Sequence, residues 1–193
     1  MGRRQAADYE QRRQAIVDHA ARLFAKRGFL GASVADLADA CGASKSLIYH
    51  YYPSKEDILF EVMDSHLLQL TGAVETVAGS AASPERKLRD LTHRFMGLYV
   101  GAADRHKVLL NELDQLPEVR RRLIVTRQRE LIDAVQALLV ALRPDLATPR
   151  LRRPLAMLFF GMINWTHTWF RLDGPVGPDE MADLAVQLVL GRP

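Results

Sequence analysis

SVADLADACGASKSLIYHYYPSKEDIL, residues 33–59, sets two short helical segments on either side of a glycine and then crowds four aromatic rings between two lysines. Ser33 stands three residues before Asp36, the spacing of a capping box, and opens a helix reading VADLADAC. Gly42 supplies a left-handed exit from it. Ser44 caps the next helix, KSLIYHYY, and Pro53 closes that one. Ser54, three before Asp57, opens a long helix through Ile58, Leu59, Val62, Met63 and Leu67. The pattern is helix, glycine turn, helix. Val34, Leu37, Ala38, Ile48 and Tyr52 are placed to hold the second helix of the pair against its neighbours. Lys45, Ser46, Tyr49 and His50 are then left facing outward, with Lys55 just beyond.

A core at that spacing would ask for aliphatic side chains. Polar-tipped rings beside cations suit a helix with one side in the core and the other against the base edges and phosphates of double-stranded DNA. Tyr52 reads as core. Tyr51 fits either side.

Working outward, no segment alternates with period two, while period-3.6 patterns recur throughout. Ile16, Ala20, Leu23 and Phe24 stripe a first helix over about 8–27 that ends at Gly28. After the long fourth helix, to about 78, Ser83-Pro84 starts another. Helices are predicted over about 84–102, 105–116, 118–142, 150–171 and 179–190, parted by Leu116-Pro117, RPDLATPR and LDGPVGP. The chain reads as all-α with about nine helices: an N-terminal helix-turn-helix domain, 1–54, and a larger helical domain, 55–193.

At 193 residues, 48% hydrophobic and 25% charged, the chain has the composition of a folded protein, and its net charge is only +3. Distribution says more than the sum. Residues 1–55 hold nine cations and five anions, an excess of 9 − 5 = +4. That asymmetry fits a basic face toward a polyanion. Arg3, Arg4, Arg12 and Arg13 are most simply a solvated face, with a phosphate-gripping arm as the minority reading. Cys41 is the single cysteine, so no intrachain disulfide can form and a reducing compartment fits. The basic start lacks the apolar stretch of a signal peptide, and PLAMLFFGMINW is too short to span a bilayer; a cytoplasmic protein is expected. No His-Glu-x-x-His cluster, glycine-rich phosphate loop or nucleophile elbow is present. Neither a metal, a cofactor nor enzymatic turnover is therefore expected.

The run GASVADLADACGASKSLIYHYYPSKEDIL resembles the DNA-binding domain of the TetR family of bacterial repressors, over about residues 10–62. Ser33, Ala38, Gly42, Ser44, Ile48, Tyr49, Tyr52, Ser54 and Lys55 carry the resemblance. It implies a homodimer that binds a palindromic operator and is released by a ligand in the C-terminal domain. It further implies that Ser33 holds a phosphate and that Ser44 opens the reading helix. Lys45 and Ser46 would then face bases, Tyr49 and His50 the backbone or base edges, and Lys55 a phosphate. Ser46 stands where glycine is frequent in the family. Leu47 stands where a small hydroxylated residue is frequent, which either removes a backbone contact or exchanges it for one to a thymine methyl.

LLNELDQLPEVRRRLIVTRQRE and LFFGMINWTHTWFRLDGPVGPDEMADLAVQLVL are similar to the C-terminal domains of TetR-family repressors that sense acyl-CoA thioesters and govern fatty-acid, sterol or phenylacetate breakdown. That similarity implies an apolar tunnel and basic residues for the CoA phosphates, with Arg120, Arg121, Arg122, Arg127 and Arg129 as candidates. The ligand-binding residues expected are His93, Phe95, Tyr99, Glu112, Arg127, Phe160, Asn164, Trp165 and Thr168. Core packing is the alternative for the apolar ones and internal pairing for the polar ones, Glu112 with Arg127 among them. Leu155, Leu158, Phe159, Leu184 and Leu188 are expected at the dimer interface, with burial in their own chain as the alternative. A drug- or metabolite-responsive efflux repressor, or a DNA-bound protein controlled by a protein partner, would use the same reading head.

Overall fold

The computed structural model describes residues 2–191, with side chains from residue 7 onward. Arg3 and Arg4, the tip of the basic start, therefore have side chains outside the described residues. Among the described residues there is no strand and there are nine helices of seven residues or more. These are α1 (Gly2–Arg27), α2 (Val34–Ala40), α3 (Lys45–Tyr51), α4 (Lys55–Ala78), α5 (Pro84–Gly101), α6 (Ala103–Asn111), α7 (Glu118–Leu142), α8 (Arg152–Asn164) and α9 (Pro178–Leu190). No helix among the described residues is long and apolar enough to cross a membrane.

The chain divides into two compact units that do not follow chain order. The first joins the chain up to His66 with Asp104–Ile124; the second joins Leu67–Ala103 with the chain from Val125. Two long unbroken helices, α4 and α7, contribute to both.

The first unit is built on the stripe of α1. Ile16, Val17, Ala20, Ala21 and Phe24 are buried with Leu37 and Ala38 of α2, Ile48 of α3, and Ile58, Leu59, Val62 and Met63 of α4. Each fully buried large side chain is worth about 1.5–3 kcal/mol relative to exposure, enough to fix helices as short as α2 and α3. Gly42, at φ 59°, is the left-handed residue between them. Its N–H donates to Asp39 O at 3.1 Å and that of Ala43 to Ala38 O at 2.9 Å, the paired bonds of a Schellman exit.

In the second unit α5 and α9 pack along one another. Leu88, Leu91, Phe95 and Met96 meet a core that includes Val135, Leu139, Phe159, Ile163, Ala182 and Val186. Here the predicted helix over 150–171 is broken. α8 stops at Asn164, and a single turn, Thr166–Trp169, follows. The cause is local competition for carbonyls. Thr166 Oγ1 donates to Ile163 O, His167 Nδ1 to Asn164 O and Thr168 Oγ1 to Trp165 O, at 2.6, 2.7 and 2.8 Å. The segment predicted as helix over 105–116 likewise ends at Asn111, with a 3₁₀ turn at Leu113–Gln115.

Candidate functional site

α3 is held on its inner side by Ile48, which is wholly buried, and at its end by Tyr52, 4% exposed. Tyr51 is half-buried, its ring 4.7 Å from that of Tyr9 on α1, so it braces α3 rather than facing outward. Lys45, Ser46, Tyr49 and His50 are exposed on the other side, Tyr49 at 49%. Lys45, Ser46 and Tyr49 make no side-chain hydrogen bond or ion pair among the described residues. Leu47 is half-buried. The structure thus gathers the four residues expected to face DNA on one exposed polar surface.

The flanking residues do structural work as well. Ser44 Oγ accepts from the Leu47 N–H at 3.1 Å, capping α3 and keeping its own O–H for a further acceptor. Ser33 Oγ accepts from the Asp36 N–H at 3.1 Å, while the Asp36 carboxylate accepts from the Ser33 N–H at 2.9 Å. The Ser33 O–H also points to that carboxylate. Hydrogen bonds from Ser33, joined by Arg27, hold Asp36 below the usual carboxylate range. Lys55 Nζ donates to the carbonyls of Phe29 and Ala32, both at 2.9 Å, and lies 4.0 Å from the centroid of the Phe29 ring. Two of its three N–H groups tie the turn before α2 to the start of α4, leaving one for a further acceptor. In the basic start, Arg12 meets Asp8 at 3.3 Å and Arg13 meets Glu61 at 2.7 Å.

Sequence reasoning missed a buried polar joint in this unit. His66 Nε2 and His106 Nδ1 are 3.1 Å apart and both rings are enclosed. Beside them Arg105, 7% exposed, donates to Ser65 Oγ at 3.0 Å and to Asp18 at 2.6 Å. Burial, helped by the Arg105 charge, pushes the His66 pKa down to about 4. These residues lie on α1, α4 and α6, too far apart in sequence for spacing to link them.

In the second unit the expected ligand residues separate. Phe95, Tyr99 and Phe160 come together: the Phe95 ring is 6.1 Å from each of the other two. Asn164 follows Phe160 by one helical turn, and its Oδ1 is enclosed without a hydrogen-bond partner. Next to Tyr99 is a cavity of about 170 Å³ lined also by Val100, Ala103, Thr166, His167, Phe170 and Leu172, none of them expected. His93, Trp165 and Thr168 do not join that group. His93 lies against Asp179 and Asp183, and Trp165 and Thr168 face outward. Glu112 belongs to the first unit, and Arg127 to the second.

α8 and α9 carry a broad apolar surface. Leu158, Leu184 and Leu188 are exposed at 69%, 47% and 62%, beside Met157, Met162 and Trp165, around a groove of about 430 Å³. Leu155 is half-buried. Phe159 is a correction: it is fully enclosed, its ring edge-on to Phe160, because it points inward from α8.

Comparison with known proteins places this geometry. Residues 16–62 match "Bacterial regulatory proteins, tetR family", and residues 81–192 match "Tetracyclin repressor-like, C-terminal domain". The chain belongs to the TetR family of bacterial regulatory proteins. A TetR-family transcriptional regulator from Bordetella parapertussis is 41% identical, with a TM-score of 0.89 over 93% of this chain and 94% of that one. The transcriptional repressor KstR2 of Mycolicibacterium smegmatis is 28% identical, the match covering 93% of this chain and 89% of that protein. AibR, solved with isovaleryl coenzyme A and operator DNA, is 27% identical, with a TM-score of 0.82 over 94% of this chain and 99% of that one.

Within this TetR-family chain the arginines considered for CoA phosphates are largely engaged with carboxylates. Arg120 pairs with Asp57 and lies over the Phe60 ring, 4.5 Å from its centroid. Arg121 and Arg122 both pair with Glu118, the latter at 2.7 Å. Arg129 is exposed.

Proposed function

We propose that this TetR-family regulator is a ligand-responsive transcriptional repressor that binds a palindromic operator as a homodimer. The observation that carries the reading is the outer face of α3, where Lys45, Ser46, Tyr49 and His50 are exposed on a helix locked into the core by Ile48. Lys45 and Ser46 face bases, Tyr49 and His50 the backbone or base edges, and Ser33, Ser44, Leu47 and the remaining N–H of Lys55 complete the contact. Residues 1–54 serve as the DNA-binding domain and 55–193 as the effector and dimerisation domain. The exposed leucines Leu158, Leu184 and Leu188 form the subunit contact, since two reading helices must meet half-sites about 34 Å apart.

The effector is a small, largely apolar molecule bound around Phe95, Tyr99, Phe160 and Asn164, whose enclosed amide oxygen gains a donor from it. An acyl-CoA thioester is favoured, because AibR was solved with isovaleryl coenzyme A and operator DNA. Effector binding shifts the population toward a conformation in which the two α3 helices no longer fit adjacent major grooves, with α4, which leads from α3 and is shared with α7 by both units, carrying the change. Regulation in the cytoplasm, without turnover chemistry, completes the reading.

The test is fluorescence anisotropy of the purified protein on DNA from just upstream of its own gene, titrated with acyl-CoAs of varied chain length. Salt-dependent binding that one class of thioester releases is expected. Binding that no thioester disturbs would retain the repressor and replace its effector. No binding above the non-specific level would sink the reading.

A further inference from the structure

His93 on α5 has both ring nitrogens against carboxylates of α9. Nδ1 lies 3.0 Å from an Asp179 oxygen, and Nε2 lies 3.0 Å from an Asp183 oxygen. A neutral imidazole has one N–H and one lone pair, so one of these contacts would set a lone pair against a carboxylate oxygen. Only the imidazolium donates to both. The two aspartates are one helical turn apart and share a face of α9. The other charged groups around the ring sit on α5: Arg86, Arg89, Asp90 and Arg94 line the same open polar cleft. Arg89 pairs with Asp183, and Arg86 pairs with Asp90 at 2.9 Å. Arg94 is exposed.

We propose that protonation of His93 clamps α5 to α9 and so makes the subunit contact that α9 shares with α8 dependent on pH. The second half of this rests on the dimer reading given above. The positions are favourable for such a link, because Leu184 directly follows Asp183 and Leu188 lies one turn on. Partial burial opposes the charge on His93. The hydrogen bonds and negative charge of Asp183 and Asp179 outweigh it and hold the pKa above the ordinary 6.5. The sign follows: a raised folded-state pKa means that the clamp is complete below the unfolded value and is lost as pH rises through the folded one.

Two measurements on the full chain decide the matter. Imidazole resonances are titrated by NMR in the wild type, D179N and D183N, and dimer dissociation is measured by sedimentation equilibrium at about pH 6 and 8.5 in the wild type and H93Q, the interval spanning the ordinary histidine pKa. His93 is expected to titrate above 6.5 and to fall in D183N. Wild-type dissociation should rise severalfold across that interval, while H93Q gives one value at both. Titration at or below the ordinary value, or no response to D183N, overturns the clamp. A wild-type dissociation constant that ignores pH overturns its link to the interface. A monomer at both pH values overturns that link and the dimer reading together, and the titration still decides the clamp.

Discussion

The outer face of α3 and the outer face of α8 and α9 are both made by helices with one side in a core, yet they are chemical opposites. On α3 the exposed residues are Lys45, Ser46, Tyr49 and His50; on α8 and α9 they are Met157, Leu158, Met162, Leu184 and Leu188. A surface that meets a hydrated polyanion needs donors and charge that can stay wet. A surface that meets another protein copy gains from apolar area taken out of water, and contiguous patches of this kind are uncommon on monomers. The interiors differ in the same sense. The first unit encloses a polar joint at His66, His106 and Arg105, whereas the second keeps its polar clamp at His93 near the surface.

The largest expected effect comes from making the apolar face polar. L158E combined with L188E should dissociate the dimer in sedimentation experiments. It should also weaken operator binding by about 100-fold or more, because the second half-site is no longer held by the first. Both residues are exposed, so far-UV circular dichroism should stay unchanged. A variant that remains dimeric would move the subunit contact elsewhere.

The enclosed joint is next. His66 is neutral in the fold, with its pKa near 4, whereas the unfolded residue titrates near 6.5. A depressed histidine pKa means that the unfolded chain takes up the proton first, so stability falls as pH drops from 6.5 toward 4. The loss at pH 5 should be about 2 kcal/mol in urea unfolding and should disappear in H66Q once that variant's own stability is taken as reference. His93 carries the opposite sign, and the two together predict a stability maximum between their titrations.

The polar face is then tested directly. K45A should lower operator affinity about tenfold and reduce the salt slope by about one per subunit if the ammonium holds a phosphate. If it reads a base instead, the slope stays and specificity relaxes at one position. Y49F, which removes only a hydroxyl, should cost about 1 kcal/mol of binding. Neither should disturb the dimer, and full affinity in both would take the reading helix away from α3.

The smallest effect separates capping from contact. S44A removes the acceptor for the Leu47 N–H and should cost about 1 kcal/mol of folding stability. A fall in operator affinity beyond what unfolding explains would add a DNA contact to the cap.

Local chemistry wrote the helix-turn-helix almost completely into the sequence. Ser33 with Asp36, Gly42 at positive φ and Ser44 are short-range devices whose partners lie within a few residues, so their spacing is sufficient evidence. The same holds for the outward set on α3, because Ile48 and Tyr52 fix which side of so short a helix is buried. Tyr51 was open in the sequence because its partner, Tyr9, lies on another helix.

The second unit was less legible for the same reason inverted. Phe159 and Leu158 are neighbours of like hydrophobicity, and only the packing of α8 decides that one is enclosed and the other exposed. Trp165 read as a pocket residue until the carbonyls around it were taken by Thr166, His167 and Thr168, which ends α8 and leaves the ring outside. His93 read as a ligand contact because the carboxylates that hold it are more than eighty residues away in the chain.

By itself the sequence determined the all-helical class, the order of the helices, the outward polar set on α3 and the likeness to TetR-family repressors, because periodicity, caps and turns act over a few residues. Tertiary structure alone decided that Asp104–Ile124 packs with the N-terminal helices, that His66 meets His106, and which leucines of α8 and α9 reach the surface. Those outcomes depend on which side chains meet across long stretches of chain, and a residue's chemistry does not encode its distant neighbour.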